Sequence, residues 1–389
     1  MRPAGHIPRA GFLVTTVLAL ALSGDSWAAT RSVRPDGLGD HSTIQTAVDA
    51  CSAGDVVLLE DGIFTGDGNR DISCGDTEIT IRSRSGNRAA CIIDCAGGQW
   101  VTPHRGFVIT GDGSLRIADL TVINGHAAGD RMSTGGGGAV LCTGSRTPHF
   151  ENCGFMDNQA EFGGAVAVID GSLEFKGCRF ERNSAEQGGA VFCGASDILL
   201  EACRFMNNAG SNGGAVSNRA GVVTARACDF EANLSRNGGA ISGHEAARFV
   251  VAGSMFTTNT ATIGGAVFLA GSTMSLADSF LVLNTAGIGG GILASGNSSL
   301  RLDHSLIAYT QQGSAMGLEG GTRVEIRCSL IYGNSEGDWA GALAPLLGQD
   351  GNIRQDPLFT APGRGDFSLK PDSPHLRDRP GCGAGNSAE

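Results

Sequence analysis

Short runs of alternating apolar and polar residues dominate the chain between residues 137 and 334. Leu173 with Phe175 and Leu300 with Leu302 are typical pairs, each separated by one charged residue. A period of two residues is typical of a strand with one buried face. No repeat contains the run of about ten residues with a period of 3.6 that a helix needs. The pattern therefore predicts short strands separated by turns.

Two motifs recur in phase along this part of the chain. The tetrapeptide Gly-Gly-Ala-Val, or a near copy, begins every 25 or 26 residues, at Gly137, Gly163, Gly188, Gly213, Gly238, Gly264 and Gly289. A second motif has Cys or Ser, then Phe or a near equivalent two residues later, and Asn three residues after that, as in Cys153, Phe155 and Asn158. Its copies begin at Cys153, Cys178, Cys203, Cys228, Ser254 and Ser279. The constant step indicates one structural unit per repeat.

This period predicts an all-β fold, a parallel β-helix solenoid with about three short strands in each coil of about 25 residues. One coil cannot bury its own inner face, whereas stacked coils can. Residues one period apart then lie about 4.8 Å from each other. The prediction places an aromatic ladder inside the coil, formed by Phe155, Phe180, Phe205, Phe230 and Phe256.

A second predicted ladder stands at a corner of the coil and consists of Asn158, Asn183, Asn208, Asn233, Asn259 and Asn284. Asparagine tolerates the left-handed backbone conformation, and stacked amides can hydrogen-bond to one another along the axis. A calcium site is the alternative interpretation of this column, but amide stacking explains it more simply.

These motifs resemble the repeats of polymorphic outer membrane proteins, within the wider right-handed β-helix, pectin-lyase-like superfold. The resemblance covers roughly Val33 to Leu369. The right-handed sense comes from this resemblance and from the crossover rule for parallel strands. The resemblance implies adhesion or display at a surface. Unlike those proteins, this chain ends in a polar tail and not in alternating strands of a membrane barrel.

The chain divides into four segments. Residues 1–28 are predicted to be a signal peptide, because Arg2 and Arg9 precede a short apolar run and small residues follow it. Residues 29–65 are predicted to form an N-terminal cap, with a short helix after Thr43, and the first strand. The β-helix is assigned to residues 66–370 and a tail to 371–389. The expected location is therefore secreted, periplasmic or extracellular.

Composition limits the classes of molecule that are expected as partners. The formal net charge of −11 argues against nucleic acid, and 61 glycines fit a fold with many tight corners. No segment after the predicted signal is apolar for long enough to span a membrane. We therefore expect a monomer whose partner is a polysaccharide or a cell-surface molecule.

Twelve cysteines raise the question of disulfides in a chain expected to be secreted. Four of them fall on one ladder position, where parallel side chains make the disulfide torsion awkward. We favour buried thiols for these four, Cys153, Cys178, Cys203 and Cys228. Local bonds are possible for Cys74, Cys91, Cys95 and Cys328, and Cys382 can staple the tail. The sequence leaves their connectivity open and gives no zinc-finger spacing.

The first candidate for chemistry is an insertion. Thirteen residues separate Asn124 from Gly137, where later coils have five. The resulting loop contains or adjoins His126, Asp130 and Arg131, which we take as catalytic candidates. His149, Glu151 and Asp157 lie one coil later, where they are expected to face the loop. His104-Arg105 and His244-Glu245 are weaker candidates. The alternative for all of these residues is a solvated loop.

The second candidate is a pair of stacked arginines, Arg179 and Arg204, predicted to face outward. They form either a weak anion-binding stripe, with His149 as a further binding candidate, or two solvated side chains. The glutamates Glu151, Glu174, Glu181, Glu201 and Glu231 are expected to occupy unrelated positions. No metal or cofactor is expected, except that calcium is possible in an enzyme of this superfold.

The sequence favours a non-catalytic protein that binds an extended polymer or a cell-surface partner. Short corners leave little chain from which to build a walled cleft. The alternative is a polysaccharide lyase or glycoside hydrolase that acts near the loop between Asn124 and Gly137. Such enzymes need an acid and a base, or a base beside a group that neutralises a uronate.

Overall fold

The computed structural model describes residues 28–97, 102–111, 113–144, 147–377 and 382. The predicted signal peptide, residues 1–28, lies outside the described residues except for Ala28. The chain winds through about twelve coils whose strands stack in parallel to form long sheets. This is the predicted all-β parallel β-helix.

Sheet A has the longest strands and extends over the full length of the coil. Its twelve strands are Thr30–Val33, Asp55–Leu59, Ile79–Ser83, Leu115–Ala118, His149–Glu151, Ser172–Lys176, Asp197–Glu201, Val222–Arg226, Arg248–Ala252, Thr273–Ala277, Ser299–Asp303 and Arg323–Arg327.

Sheet B follows sheet A in each coil after a corner that is two residues long in the regular coils. Its eleven strands are Gly62–Phe64, Cys91–Asp94, Thr121–Ile123, Gly154–Met156, Arg179–Glu181, Arg204–Met206, Asp229–Glu231, Met255–Thr257, Phe280–Val282, Leu306–Ala308 and Leu330–Tyr332.

Sheet C completes the coil and precedes the next strand of sheet A. Its ten strands are Ile72–Cys74, Phe107–Ile109, Val140–Thr143, Val166–Ile169, Val191–Gly194, Val216–Arg219, Ile241–His244, Val267–Ala270, Ile292–Ser295 and Met316–Leu318.

The central coils contain a fourth strand that the sequence pattern did not indicate. Sheet D lies between sheets B and C and has the strands Gln159–Phe162, Ser184–Gln187, Ala209–Asn212, Leu234–Asn237 and Thr260–Ile263. Its inward positions hold small residues such as Ala160, Ala185 and Ala261. These residues give no strong alternation of apolar and polar side chains, so the sequence pattern does not predict a strand in this segment.

The interior contains the predicted aromatic ladder. Phe155, Phe180, Phe205, Phe230 and Phe256 are all fully buried. Successive rings stack with centroid separations of 4.6 to 5.0 Å. Leu281, Ile307 and Ile331 continue the same buried column. The stacking of like on like, one coil apart, is confirmed.

The asparagine ladder is also present. Each side-chain Nδ2 from Asn158 to Asn259 donates to the Oδ1 of the next asparagine at 2.9 to 3.0 Å. Each Nδ2 also donates to a backbone carbonyl, as Asn208 does to Phe180 at 3.0 Å. The predicted left-handed conformation falls elsewhere, on the preceding residue, for example Arg182 and Asn207 with φ of 53° and 56°. The asparagines occupy this corner because of their hydrogen bonds.

The two glycines of each Gly-Gly pair are required for different reasons. Gly188 has φ of +66°, which side chains adopt with strain. A Cβ atom on Gly189 would lie 2.1 Å from the carbonyl oxygen of Gly214 in the next coil. The first glycine therefore makes the turn, and the second permits close contact between coils.

Both ends of the coil are covered. Thr43 is the N-cap of the helix Ile44–Asp49. Its side chain accepts a hydrogen bond from the backbone N–H of Thr46 in a capping box. Its buried face, which includes Ile44 and Val48, closes the N-terminal end. At the other end, the 3₁₀ helix Gly341–Leu346 and buried Trp339 pack on the last coil. The predicted capping helix is confirmed.

The segment predicted as β-helix, residues 66–370, contains an antiparallel element near its end. The last parallel strand is Leu330–Tyr332. The strands Phe359–Ala361 and Asp366–Leu369 then form a hairpin around the 3₁₀ helix Pro362–Arg364. Phe359 and Phe367 pack on an apolar patch outside sheet B, formed by Val282, Leu306, Ala308 and Leu330. We call residues 353–377 the strap.

A disulfide between Cys328 and Cys382 ties the end of the chain to the last coil, with Cα atoms 5.6 Å apart. Cys153, Cys178, Cys203 and Cys228 are buried free thiols, as predicted. Burial raises the pKa of Cys91 to about 12, so this side chain stays protonated. Among the described residues, no helix is long and apolar enough to cross a bilayer.

Candidate functional site

The insertion before Gly137 forms a cover on the outside of sheet C. It contains the four-residue helix Met132–Gly135. Met132 packs against an apolar cluster outside the coil that includes Leu141, Phe162 and Phe192. Asp130 and Arg131 are exposed, and neither side chain forms an ion pair within the described residues. The loop therefore packs on the coil through Met132, and the side chains of Asp130 and Arg131 are directed into solvent.

The third predicted residue, His126, lies beside two earlier corner loops and is joined to one of them through the backbone. Its backbone N–H donates to the carbonyl of His104 at 2.8 Å. Nδ1 of His104 lies 2.6 Å from the carboxylate of Asp71. The other oxygen of Asp71 accepts from the backbone N–H of Arg105 at 2.8 Å. We call Asp71, His104, Arg105 and His126 the loop cluster.

Arg105 holds the insertion in place. Its Nε donates to the carbonyls of Gly136 and Gly137 at 3.1 Å, and its Nη2 donates to the carbonyl of Thr134. Burial lowers the pKa of Arg105, while the charge of Asp71 acts in the opposite direction. Burial and the nearby Arg105 also lower the pKa of His126, so this imidazole is neutral at pH 7.

The expectation that His149 and Glu151 face the loop is wrong, because both project outward from sheet A, on a different side of the coil. Asp157 lies at the corner after sheet B, beside the first residues of the insertion, since Met156 pairs with Ile123 and Gln159 with His126. Its carboxylate pairs with Arg182 of the next coil at 2.8 Å.

The outer face of sheet A contains a groove that runs across five strands, parallel to the axis of the coil. It consists of two adjoining depressions of about 350 and 410 Å³ that share Glu174 and Leu199. We call it the sheet A groove. Its outward side chains are Arg116, His149, Glu151, Glu174, Lys176, Leu199, Glu201, Ser172, Asp197, Val222, Thr224 and Arg226.

Ion pairs between neighbouring coils line one end of the groove. His149 Nδ1 lies 2.7 Å from Glu174 Oε2, Arg116 pairs with Glu151, and Lys176 lies 3.8 Å from Glu201. These side chains are 42 to 64% exposed. Exposed pairs of this kind contribute only about 0 to 1 kcal/mol, so a ligand can replace them at small cost.

The glutamates are more ordered than the sequence suggested. Glu151 and Glu201 occupy the same column of sheet A, with Lys176 between them. Glu174 lies in the neighbouring outward column next to His149. Only Glu181 and Glu231 belong to sheet B. The predicted scatter is therefore wrong for Glu151 and Glu201, and for Glu181 and Glu231, since each pair shares a column two coils apart. It holds for Glu174, which shares a column with none of the other four.

The outer face of sheet A carries more basic than acidic side chains. The basic ones are Arg82, Arg116, Lys176, Arg226, Arg248, Arg301, Arg323 and Arg327, and the acidic ones are Glu151, Glu174, Asp197, Glu201, Asp303 and Glu325. The whole chain has the opposite balance, with 28 basic and 39 acidic residues. Among outward residues of the described sheet A strands, His149 is the one aromatic ring.

Arg179 and Arg204 stack in register outside sheet B, as predicted. Arg204 is held by Glu231 at 2.5 Å, and this hydrogen bond raises the pKa of the arginine. An anion-binding stripe remains a prediction, with one of its two cations already paired. His244 lies beside Phe268, with ring centroids 5.6 Å apart, and next to the Arg219–Glu245 ion pair.

Two residues of these sites escaped the sequence reading. Asp71 is 33 residues before His104. The first coils do not follow the period of 25 or 26 residues, so the sequence does not predict that these two corners stack. Arg226 lies four coils after Arg116 without any motif of its own. The outward column of sheet A, read every 25 residues from Glu151, was the signal that could have found it.

Comparison with known proteins supports the fold. A family described as "Right handed beta helix region" matches residues 104–256. Together with the parallel sheets, this identifies the fold as a right-handed parallel β-helix. No curated protein matches the chain.

Several solved structures have a similar course of the chain. One is a mannuronic-acid-specific family 6 polysaccharide lyase from human gut microbiota, 11% identical, covering 87% of this chain and 93% of its own, with a TM-score of 0.47. Another is the pectate lyase Pel9A, 14% identical, covering 93% and 91%, with a TM-score of 0.44. A third is the ORF18 protein of Geobacillus virus E2, 12% identical, covering 77% and 61%, with a TM-score of 0.46. At these identities the likeness concerns the fold alone.

Proposed function

We propose that this protein binds an extended acidic polysaccharide along the outer face of sheet A and does not cleave it. The observation that carries the proposal is the excess of basic side chains on the C-terminal half of the outer face of sheet A, on an otherwise acidic chain. The sheet A groove leads to this half along the coil axis and itself contains three basic and four acidic outward side chains. The twelve strands span roughly 50 Å at the usual strand spacing, so the face can contact many sugar units at once.

Charge and hydrogen bonds are the recognition elements that this face offers. It has no tryptophan, tyrosine or phenylalanine directed outward from its described strands, so stacking on sugar rings is not its mode of contact. The basic excess lies in the C-terminal half, where Arg226, Arg248, Arg301, Arg323 and Arg327 face two acidic residues. Arginine pairs well with carboxylate and sulfate groups through its planar fork of donors.

The biological setting follows from this proposal. Binding to a polysaccharide is consistent with the secreted, periplasmic or extracellular location expected for the chain. It also agrees with the adhesion or display implied by the resemblance to polymorphic outer membrane proteins. We propose a monomer that needs no metal or cofactor for binding.

Binding is tested with purified protein and a panel of soluble acidic and neutral polysaccharides, by titration calorimetry and affinity electrophoresis. We expect saturable binding to acidic polymers that weakens as salt rises, because exposed charges are screened. Arg226→Ala and Arg248→Ala should each weaken binding by about fivefold, or about 1 kcal/mol. Arg236→Ala, an exposed arginine on sheet D, is the matched control and should bind like the wild type. Equal losses in all three variants, or binding to neutral polymers alone, contradict the proposal.

A polysaccharide lyase or hydrolase is the second candidate, and the loop cluster is the observation in its favour. Asp71 orients Nδ1 of His104, and Nε2 has no hydrogen-bond partner among the described residues. Such an imidazole can act as a general base. This reading moves the predicted site from Asp130 and Arg131 to His104, which sits beside the same insertion.

The two candidates differ in what happens to the polymer. After long incubation, a binding protein leaves chain length unchanged by size-exclusion chromatography. A lyase creates unsaturated ends that absorb in the ultraviolet, and a hydrolase creates reducing ends. If cleavage occurs, His104→Gln should abolish it while Asp130→Ala leaves it intact. Cleavage by the wild type would overturn the non-catalytic proposal.

A further inference from the structure

The corner that receives the end of the chain contains three metal-binding side chains. One ring nitrogen of His304 and the sulfurs of Cys328 and Cys382 all lie within 4.8 Å of one another. Among the described residues, this is the one group of three or more His, Cys, Asp or Glu side chains with such spacing. In the sequence, these three residues come well after those of the sheet A groove and of the loop cluster.

The scaffold fixes two of the three ligands. His304 and Cys328 follow Asp303 and Arg327, which pair in neighbouring coils of sheet A. Both corner residues have left-handed backbones, with φ of 44° and 52°. Their side chains therefore leave the same corner one coil apart. Cys382 joins them through the disulfide to Cys328.

A carboxylate completes the surroundings of the histidine. Asp303 Oδ1 lies 3.0 Å from Nδ1 of His304. A carboxylate in this position orients a metal-binding imidazole and leaves Nε2 for the ion. Two thiolates and one imidazole are typical ligands of zinc, with water in the fourth position of an open site. Around one zinc ion such ligand atoms lie roughly 3 to 4 Å apart, so small movements suffice.

We propose that this corner exchanges a disulfide for a metal ion: when Cys328 and Cys382 are reduced, their thiolates and His304 bind Zn²⁺ or a similar thiophilic divalent ion. The S–S bond breaks when a reductant supplies two electrons. Two reductant thiols also supply the two protons and become a disulfide, whereas a phosphine takes its oxygen from water, whose two protons complete the thiols, and becomes a phosphine oxide. Metal binding then releases the two thiol protons to solvent.

The end of the chain stays attached to the last coil in both states. Under oxidising conditions the covalent bond holds it, and under reducing conditions the metal does. His304 is 26% exposed and Cys382 is half-buried, so solvent and metal reach the corner from the side of these two residues, whereas Cys328 is buried. The ladder thiols, such as Cys178 and Cys203, are equally buried but have no half-exposed ligand beside them among the described residues.

The test uses the full-length chain with and without phosphine reduction, under anaerobic conditions. After incubation with Zn²⁺ and desalting, we expect one zinc per reduced chain and none per oxidised chain. Cobalt in place of zinc should give the visible absorption of tetrahedral thiolate coordination. His304→Gln should weaken metal binding at least tenfold, whereas Cys51→Ser, at the half-buried cysteine of the N-terminal cap, should bind normally.

A second measurement does not depend on how variants fold. Zinc should slow alkylation of Cys328 and Cys382 in the reduced wild type, as mapped by mass spectrometry, and leave Cys51 unaffected. The proposal is overturned if reduced and oxidised chains retain equal zinc. It is also overturned if His304→Gln binds as tightly as the wild type, or if alkylation of the two cysteines is unchanged.

Discussion

At the scale of single residues, the asparagine ladder shows how the coil buries polar groups without leaving them unsatisfied. Asn208 accepts from the Nδ2 and the backbone N–H of Asn183, and donates to Asn233 and to the carbonyl of Phe180. Each buried amide therefore satisfies backbone groups that the two-residue corner removes from the sheets. Buried polar groups without partners cost about 1 to 3 kcal/mol each, so the column is essential to the corner.

Replacing Asn208 with alanine tests this role. The change removes the acceptor that the backbone N–H and Nδ2 of Asn183 share, and it removes a donor from the carbonyl of Phe180. We expect the free energy of unfolding to fall by about 2 to 4 kcal/mol in urea titrations. Asn212→Ala is the matched control in the same coil, since Asn212 accepts a single side-chain hydrogen bond from Asn237. It should cost less than about 1 kcal/mol, and equal losses in the two variants would contradict the role of the ladder.

His244 gives a pH dependence with a definite sign. Burial is the main cause that lowers its pKa from 6.5, and Arg219 lowers it further while Glu245 raises it. Between the folded pKa and 6.5 the unfolded chain binds more protons, so stability is lost as pH falls below 6.5. We expect the urea midpoint of the wild type to decrease from pH 7 to pH 5.5, and less so in His244→Gln. His126 shifts in the same direction, so part of the dependence persists in the variant.

The comparison of the two proteins between pH 7 and 8 is the internal control for that measurement. Both histidines are neutral there in folded and unfolded chains, so the two curves should run in parallel. A variant whose midpoint still follows the wild type below pH 6.5 would show that His244 does not contribute.

At the scale of elements, the sequence pattern does not predict the segments that pack on the outside of the coil. The insertion before Gly137 and the strap both cover apolar patches on outer faces, around Phe192 and Leu306 respectively. Sequence patterns that assign apolar residues to the interior cannot anticipate a second layer. Sheet D was missed for the opposite reason, because its buried positions are too small to produce an apolar signal.

The strap should open without melting the coil. Phe367 packs only on the outer patch and on Phe359, whereas Phe256 lies inside the coil. We expect Phe367→Ala to speed hydrogen exchange and proteolysis of residues 353–377 while the exchange of sheet C stays slow, since local units open separately. Phe256→Ala is the contrasting variant and should destabilise the whole coil by about 3 to 5 kcal/mol. Uniform loss of protection in Phe367→Ala would show that the strap and coil unfold together.

At the scale of the whole molecule, the repeat determined what could be predicted. The period, the inward ladder from Phe155 to Phe256, the corner asparagines and the capping helix all follow from residues 25 or 26 apart. The sites do not repeat, so the same reasoning loses its power there. The loop cluster joins three irregular corners, and the groove depends on which strand faces outward. Asp130 and Arg131 were chosen by their position in an insertion, and the structure leaves them in solvent.

The constant step of the coil has a further consequence for how such chains can change in length. Ser184 and Ala209 occupy equivalent places, so joining residue 183 directly to 209 removes one full turn and brings Asn183 under Asn233. The inner columns then stay continuous, with Phe180 beside Phe230, and the molecule shortens by about 4.8 Å. Duplication has the reverse effect. A gene for such a chain can therefore adjust the span of its product in whole turns and keep its inner columns, while outer neighbours change, as when Lys176 comes to lie beside Arg226.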